Sequence, residues 1–304
     1  MKARNFPLVP FSEVKRPIDW SKQFGRSGPL EVEIGSGLGE FLFRLAQRHP
    51  ERNFVGIEQD KGRIYKILKR LFQSDLRNIR LLNADARLVF EKLLVPLSVD
   101  RVHCLFPCPW PKYRHAKHRL LNKDFLRLVN SRLADGGQLR IVTDFLPFAE
   151  WVKGELPTSG FCVQQKIIPP QFDTKYERKW KEQGQREFFE LNLVKEEHIA
   201  IPFQEEVVLK EFHLKSFDPR HFRMRDEKGE ITVLFKDYLY DAKAHKAMVR
   251  AMVIEEKITQ QMWIAIVKTK GGWRIFPAQG CSWIPTPGIR RALELVHQFN
   301  GGGS

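Results

Sequence analysis

The segment Leu30–Gly39, with the sequence LEVEIGSGLG, combines a short apolar run with three glycines at alternate positions. An apolar run that leads into a glycine-rich turn is typical of a buried strand followed at once by a helix. Four more apolar runs follow, namely NFVGIE, IRLLNAD, VHCLF and LRIVTD, and segments with helical spacing at Glu40–Arg48 and Lys61–Gln73 separate the first three strands. This alternation predicts a parallel βαβ sheet and an α/β fold of the Rossmann-like type. A turn at Asp135–Gly137 is predicted to precede the last parallel strand, Gln138–Thr143.

The sequence pattern changes after about Val194. Beyond Val194, alternating β-branched and aromatic segments such as VVLKEFHL, ITVLFKDYLY and MWIAIVKTK are typical of antiparallel strands, and Pro287–Phe299 reads as a closing amphipathic helix. We therefore expect a first domain over 1–194 and a smaller β-rich domain over 195–304, with 301–304 as a flexible tail.

Charge and cysteine content limit the classes of function. The 304 residues carry a formal net charge of +15 and a pI near 9.7, which favours a polyanionic partner such as nucleic acid. No apolar stretch reaches the roughly 18 residues of a membrane span, and the N-terminus lacks a signal-peptide core, so a cytoplasmic location is expected. The four cysteines form no CxxC pair, which argues against a zinc site and a disulfide framework.

Three acidic residues lie at or just after the carboxyl ends of successive predicted strands. Glu33 directly precedes the glycine turn, whose GxGxG spacing departs from the GxGxxG of dinucleotide-binding proteins, and a carboxylate there would repel a pyrophosphate. A cationic ligand such as S-adenosylmethionine fits better. Glu58 is placed to accept the hydrogen bonds of a ribose diol, and Asp85 to meet the adenine or its amino group. The candidate cofactor residues are Glu33, Gly35, Gly37, Gly39, Glu58 and Asp85.

A second motif spans Phe106–Leu121 and reads FPCPWPKYRHAKHRLL. Its prolines exclude a helix interior or a central strand, so the segment is predicted to form a stiff loop after the strand that ends near Phe106. The basic run that follows is suited to nucleic-acid phosphates. Ligands of open α/β sheets bind beyond the carboxyl ends of the strands, which is where this loop would lie.

These motifs together resemble the bacterial tRNA (guanine-N7)-methyltransferases, which modify a guanosine in the variable loop. The resemblance covers Leu30–Leu193. Its most specific parts are FPxPWPK at Phe106–Lys112 with RHxKxRL at Arg114–Leu120, and TKYExK at Thr174–Lys179 followed by Gly184 and Leu191.

The resemblance implies a function for each matching residue. It assigns S-adenosylmethionine to Glu33, Glu58 and Asp85, and the tRNA substrate to Lys112, Asp144 and four residues before and within a helix, which are Thr174, Lys175, Tyr176 and Glu177. We expect phosphate contacts from the basic side chains of Lys112, Arg114, Lys117 and Arg119. No metal and no obligate protein partner are expected, and the chain would act as a monomer or a homodimer.

One position departs from the family pattern: Cys108 stands where the family normally has aspartate between the first two prolines. A Pro-Cys loop also resembles the nucleophile loop of cytosine-C5 methyltransferases, in which a thiolate adds to the base. Two alternatives to N7 methylation therefore remain, a C5 methyltransferase that uses Cys108 and a non-catalytic tRNA-binding protein. The extension beyond residue 194 is similar to that of longer relatives from heat-loving bacteria, and extra tRNA contact and a packing role are equally compatible with its sequence.

Overall fold

A computed structural model describes residues 6–112, 114, 118–203, 207–255, 258–278 and 283–301 of the chain. The chain divides into two units, of which the first comprises Met1–Val9 with Lys15–Phe203 and the second Pro10–Val14 with Gln204–Ser304. Within the described segments, none of the helices combines the length and apolarity needed to cross a bilayer.

The first unit is built on a seven-stranded sheet with the strand order β3-β2-β1-β4-β5-β7-β6. Strands β1 to β5 run parallel to one another, whereas β7 is antiparallel to both β5 and β6. The strands are β1 Leu30–Ile34, β2 Asn53–Ile57, β3 Ile79–Leu82, β4 Val99–Leu105, β5 Leu133–Thr143, β6 Phe161–Ile168 and β7 Phe188–Lys195. The helices are α1 Trp20–Phe24, α2 Glu40–Arg48, α3 Lys61–Phe72, α4 Ala86–Lys92, α5 Lys123–Arg132, α6 Leu146–Gly154 and α7 Lys175–Glu182.

Every residue of β1, β2 and β3 is buried, including the charged residues Glu31, Glu33 and Arg80. Burial along the whole strand is typical of parallel strands whose two faces are both covered. On one face, Phe43 from α2 and Ile64 and Ile67 from α3 pack with Phe54 of β2 in a single hydrophobic cluster. The predicted α/β class is thereby confirmed.

Strand β5 begins earlier than the sequence predicted. Leu133 pairs with Val99, and the ladder then jumps so that Gln138 pairs with Arg101. The residues between these pairs form an irregularity inside the strand, where Gly136 has a φ of 69°. Glycine adopts this conformation without steric cost, so the predicted turn interrupts β5 instead of preceding it.

The second unit is a five-stranded antiparallel sheet in the order β8-β12-β11-β10-β9 with one helix. Its elements are β8 Phe212–Leu214, β9 Ile231–Asp241, β10 Lys246–Glu255, β11 Ile258–Thr269, β12 Gly272–Pro277 and α8 Pro287–Gly301. Ile289, Leu293 and Val296 of α8 pack against one face of this sheet, beside Val249 and Ile264. The β-rich character predicted for the C-terminal part is confirmed.

Candidate active site

The glycine turn after β1 makes an open cradle at the carboxyl edge of the sheet. The backbone N–H groups of Gly35 and Ser36 both donate to the carbonyl of Ile57, at 2.9 and 3.0 Å, which fixes the turn to the end of β2. A side-chain carbon added to Gly35, whose φ is 72°, would meet no atom within 4 Å. Gly39 caps α2, and there an added carbon would lie 3.2 Å from Ile67. The turn is therefore packed against α3 on one side and open to a ligand on the other.

Glu33 lies beneath this turn with an incomplete set of hydrogen bonds. The residue is 5% exposed, and its Oε2 atom has no hydrogen-bond partner among the described residues. Burial, aided by the nearby charge of Glu58, raises the pKa of the Glu33 carboxyl to about 8. A buried carboxyl group with an unused oxygen at a strand end is suited to a cationic ligand.

Glu58 connects the cradle to the end of β2. Its Oε2 atom accepts the N–H of Gly37 at 2.9 Å, and Oε1 accepts the N–H of Asp60 at 2.9 Å. Arg63 approaches the same carboxylate, with Nη1 3.5 Å from Oε2. A carboxylate offers about four acceptor positions, of which the two N–H groups take two. A diol that displaces the long contact with Arg63 would therefore find two positions free.

Asp85 caps the N-terminus of α4. Its Oδ1 atom accepts the N–H of Arg87 at 2.8 Å, and Oδ2 accepts the side-chain amide of Gln59 at 2.9 Å. Burial raises the pKa of this carboxyl, and the contact with Arg87 opposes that change. Gln59, next to Glu58, thus links two of the predicted cofactor residues, and sequence reasoning missed it.

The proline loop leaves β4 through an unusual backbone conformation. Phe106 and Trp110 have φ values of 51° and 43°, which non-glycine residues rarely adopt. The N–H of Phe106 donates to Val142 at 2.7 Å, and the Phe106 ring meets the rings of Phe172 and Phe188 edge to face. These contacts hold the loop in place, and Cys108 is exposed on it.

Arg119 differs from its predicted role as a phosphate ligand. The residue is 8% exposed, and its guanidinium donates to the carbonyls of Pro109 and Trp110 at 2.8 and 3.2 Å. It also lies 4.7 Å from the centre of the Trp151 ring. The side chain therefore holds the proline loop through two hydrogen bonds and is buried.

The remaining predicted phosphate ligands and Asp144 differ in their exposure to solvent. Lys112 and Arg114 are exposed, as phosphate ligands need to be, whereas Lys117 lies outside the described residues. Asp144 directly follows β5 and is half-buried, and this burial raises the pKa of its carboxyl.

Helix α7 carries the TKYE motif and is anchored at its start. The Thr174 hydroxyl caps the helix by accepting the N–H of Glu177 at 3.2 Å. The buried Glu177 carboxylate accepts backbone N–H groups from three consecutive residues, Gln171, Phe172 and Asp173. Glu177 thus shapes the loop before the helix.

Three further contacts bring α7 to the predicted cofactor cradle. Glu40, the first residue of α2, accepts the N–H of Lys175 at 2.6 Å and pairs with Arg178. The Tyr176 hydroxyl accepts a hydrogen bond at 3.3 Å from Arg63, which also approaches Glu58. The structure therefore brings the predicted substrate motif and the predicted cofactor motif together through Glu40 and Arg63, which have no motif of their own in the sequence.

Known proteins resemble this chain in sequence and in fold. A family model described as a putative methyltransferase matches residues 27–190. The tRNA (guanine-N(7)-)-methyltransferase of Chlorobium phaeobacteroides is 47% identical over 173 residues, which are 57% of this chain and 85% of that protein. The enzyme of the same name from Aquifex aeolicus is 30% identical over 298 residues, or 96% of this chain and 98% of that protein. The solved structure of an antibiotic-related methyltransferase aligns with a TM-score of 0.47 at 21% identity, covering 58% of this chain and 92% of that chain.

A cradle with strand-end acids on this sheet defines an S-adenosylmethionine-dependent methyltransferase. The relatives specify the class further. The chain belongs to the tRNA (guanine-N(7)-)-methyltransferase family, and the resemblance inferred from its motifs is confirmed.

Proposed function

We propose that this chain transfers a methyl group from S-adenosylmethionine to N7 of a guanosine in the variable loop of tRNA. The observation that carries the proposal is the full-length relationship to the Aquifex aeolicus enzyme, which spans 298 residues. The contacts that join α7 to the cofactor cradle support it, because they bring the two family motifs to one edge of the sheet.

The residues of the cradle fit the proposed cofactor. The Oε2 atom of Glu33, which has no partner among the described residues, would accept a hydrogen bond from the ammonium group of S-adenosylmethionine. The open space beside Gly35 would hold its methionine moiety, and Glu58 would hold the ribose diol. Asp85 and Gln59 would meet the adenine edge. When bound, S-adenosylmethionine supplies a methyl group on a positively charged sulfur.

The target atom determines what else the protein must do. Guanine N7 carries a lone pair and no proton, so the transfer requires no general base. The protein's task is to hold N7 in line with the methyl group and the departing sulfur, which is catalysis by proximity and orientation. The proline loop and α7 would do this, with Asp144 stabilising the positive charge that develops on the base.

Cys108 would stand beside the base without reacting covalently. The family's usual aspartate would add an electrostatic contribution that a thiol does not supply, so Asp144 takes a larger share here. Thr174, Lys175 and Tyr176 would contact the nucleotide, and Lys112, Arg114 and Lys117 the phosphates.

The proposal also covers the organisation of the chain. The family model ends at residue 190, which supports a catalytic domain within residues 1–194 and an auxiliary domain over 195–304. The proposed cofactor and substrate residues all belong to the first unit, which supports action as a monomer or homodimer without a second protein. Its tRNA substrate makes the cytoplasm the expected location.

Analysis of the product tests the proposal. The purified protein is incubated with unmodified tRNA and labelled S-adenosylmethionine, and the RNA is then reduced and treated with aniline, which cleaves the chain at N7-methylguanosine. We expect cleavage at one variable-loop guanosine, and none in a control transcript with adenosine at that position. Methyl transfer without cleavage, with 5-methylcytidine in the digest, would favour Cys108 as a nucleophile; binding without transfer would identify a non-catalytic protein.

A further inference from the structure

A polar groove of about 200 Å³ lies on one face of the sheet in the first unit. Its floor is formed by β4, β5, β7 and β6, whose side chains alternate between the two faces. Arg101 pairs with Gln138, and Lys166 with Glu190, so these side chains share the face that forms the groove.

The polarity of this face is unusual for its place in the fold. In an α/β sheet both faces are normally covered by helices and lined by apolar side chains. Here Arg101, Gln138 and Arg140 are half-buried, while Gln164 and Lys166 on the edge strand are exposed. Water or a polar ligand must therefore meet this part of the sheet.

The charge of the groove is positive. Among the described residues, its lining contains three cationic side chains, Arg101, Arg140 and Lys166, and one carboxylate, that of Glu190. Glu190 pairs with Arg140, whose guanidinium also lies 4.9 Å from the centre of the Phe172 ring. Lys166 forms no ion pair with any residue in the described part of the chain. The groove thus combines a fixed arginine with a lysine that is available to an anion.

The groove leads towards the proposed reaction centre. Arg140 precedes Asp144 by four residues along β5, which at about 3.3 Å per residue separates them by about 13 Å. The Phe172 ring that contacts Arg140 also contacts Phe106 at the start of the proline loop. An RNA whose target base enters beyond the end of β5 would have neighbouring nucleotides within reach of the groove.

We propose that this groove binds the sugar-phosphate backbone of the tRNA substrate next to the target nucleotide. The inference rests on the proposed function and extends it to a surface outside the family motifs. Lys166 and Arg101 would contact phosphate oxygens, and Gln138 and Gln164 would hydrogen-bond ribose hydroxyls. These contacts hold the RNA in register and carry no sequence preference.

Two neighbouring glutamines provide a matched test. Gln164 and Gln165 are both exposed and adjacent on β6, but their side chains point to opposite faces of the sheet, and only Gln164 lines the groove. We expect Gln164→Glu to weaken tRNA binding several-fold by repelling phosphates, and Gln165→Glu to bind as the wild type does. The measurement is a filter-binding titration with tRNA.

A second variant measures the phosphate contact directly. Lys166→Gln should reduce the slope of log affinity against log salt by about one unit. Equal affinities and equal salt slopes for the wild type, Gln164→Glu and Lys166→Gln would overturn the groove proposal. If these variants also changed the molar mass in solution, the face would instead be an interface between two copies of the chain, and the proposal would again be wrong. The wild-type product assay separates this failure from failure of the function, because N7 methylation would still be detected.

Discussion

One oxygen of the buried Glu33 carboxyl group has no hydrogen-bond partner in the part of the chain that the structure describes, which normally costs about 1 to 3 kcal/mol. Burial raises its pKa to about 8, so in the absence of a ligand the group is protonated at neutral pH. A cation that binds against it must displace this proton. Binding and deprotonation are therefore coupled.

The coupling has a definite sign. Between about pH 6 and about pH 7 the ionised fraction of Glu33 rises about tenfold, and affinity for S-adenosylmethionine should rise by about the same factor. Calorimetry at several pH values measures it, and Glu33→Gln, which cannot ionise, should bind weakly with no such rise. A wild-type affinity that stays constant over this range would show that Glu33 does not meet the ammonium group.

Substitutions of Cys108 distinguish catalysis by positioning the substrate from catalysis by a nucleophilic thiolate. Since N7 transfer needs no covalent step through sulfur, Cys108→Ser should retain most of kcat. Cys108→Asp should raise kcat by up to about tenfold, the equivalent of about 1.4 kcal/mol, by restoring a carboxylate beside the developing charge. Methyl transfer to unmodified tRNA is measured for the three proteins. Loss of all turnover in both folded variants would instead indicate a nucleophilic sulfur.

Arg119 is expected to act through the proline loop. Arg119→Ala should lower kcat about tenfold to a hundredfold by loosening the loop, while the salt slope of tRNA binding stays at the wild-type value. Arg119→Lys should restore little of the lost kcat. A lysine ammonium cannot donate to both carbonyls with the geometry of a guanidinium while it also stacks on Trp151. Arg114→Ala is the matched control: it should weaken tRNA binding and lower the slope. A lowered slope in Arg119→Ala would return Arg119 to the phosphate-binding residues.

At the scale of elements, helix α7 depends on Glu40 for its position. Glu40→Ala removes an acceptor for the N–H of Lys175 and the partner of Arg178, and should lower kcat/KM for tRNA about tenfold while S-adenosylmethionine affinity changes less. The check is a double-mutant cycle with Arg178→Ala. The two effects should be less than additive, since each change breaks the same ion pair. Strict additivity would show that the pair does not transmit the effect.

The elements that the sequence predicted are those with one dominant local signal. Strands β1 to β4 and helices α2 and α3 follow from apolar runs and periodicity, and the strand-end acids follow from them. Strand β6 was missed because it is an edge strand with mostly exposed side chains, so it shows no long apolar run. Strand β7 was missed because half-buried polar residues, Glu190 and Asn192, interrupt its apolar residues. Strand β10 was missed because its buried face consists partly of alanines, Ala247 and Ala251.

The contacts within the site depend on distances that no local pattern encodes. Glu40, Arg63 and Gln59 gain their importance from partners far along the chain, such as Lys175, which only the folded structure brings close. Arg119 belongs to a basic run that looks uniformly exposed. Its burial results from Trp151 and from the carbonyls of a loop that turns back over it.

At the scale of the whole molecule, the net charge of +15 predicts binding that salt weakens steeply. Replacing Lys112 and Arg114 together by alanine should lower the salt slope by about two units. Titrations at four or more salt concentrations measure the slope. Replacing the exposed pair Lys243 and Lys246 in the second unit makes an equal charge change, and it should lower the slope only if that unit also contacts the tRNA. An unaltered slope in the Lys112 and Arg114 variant would show that the RNA follows another path.

The strand order of the first unit also has a consequence for how the protein is made. Strand β6 leaves the ribosome before β7, yet its place in the sheet is beside β7, and β7 alone joins it to β5. Until residues 188–195 have been synthesised, β6 has no position to occupy and the edge of β5 remains open. Glu190 on β7 and Lys166 on β6 therefore cannot line the proposed RNA groove before that point. We therefore expect a chain truncated before residue 188 to lack this groove, whatever the state of strands β1 to β5.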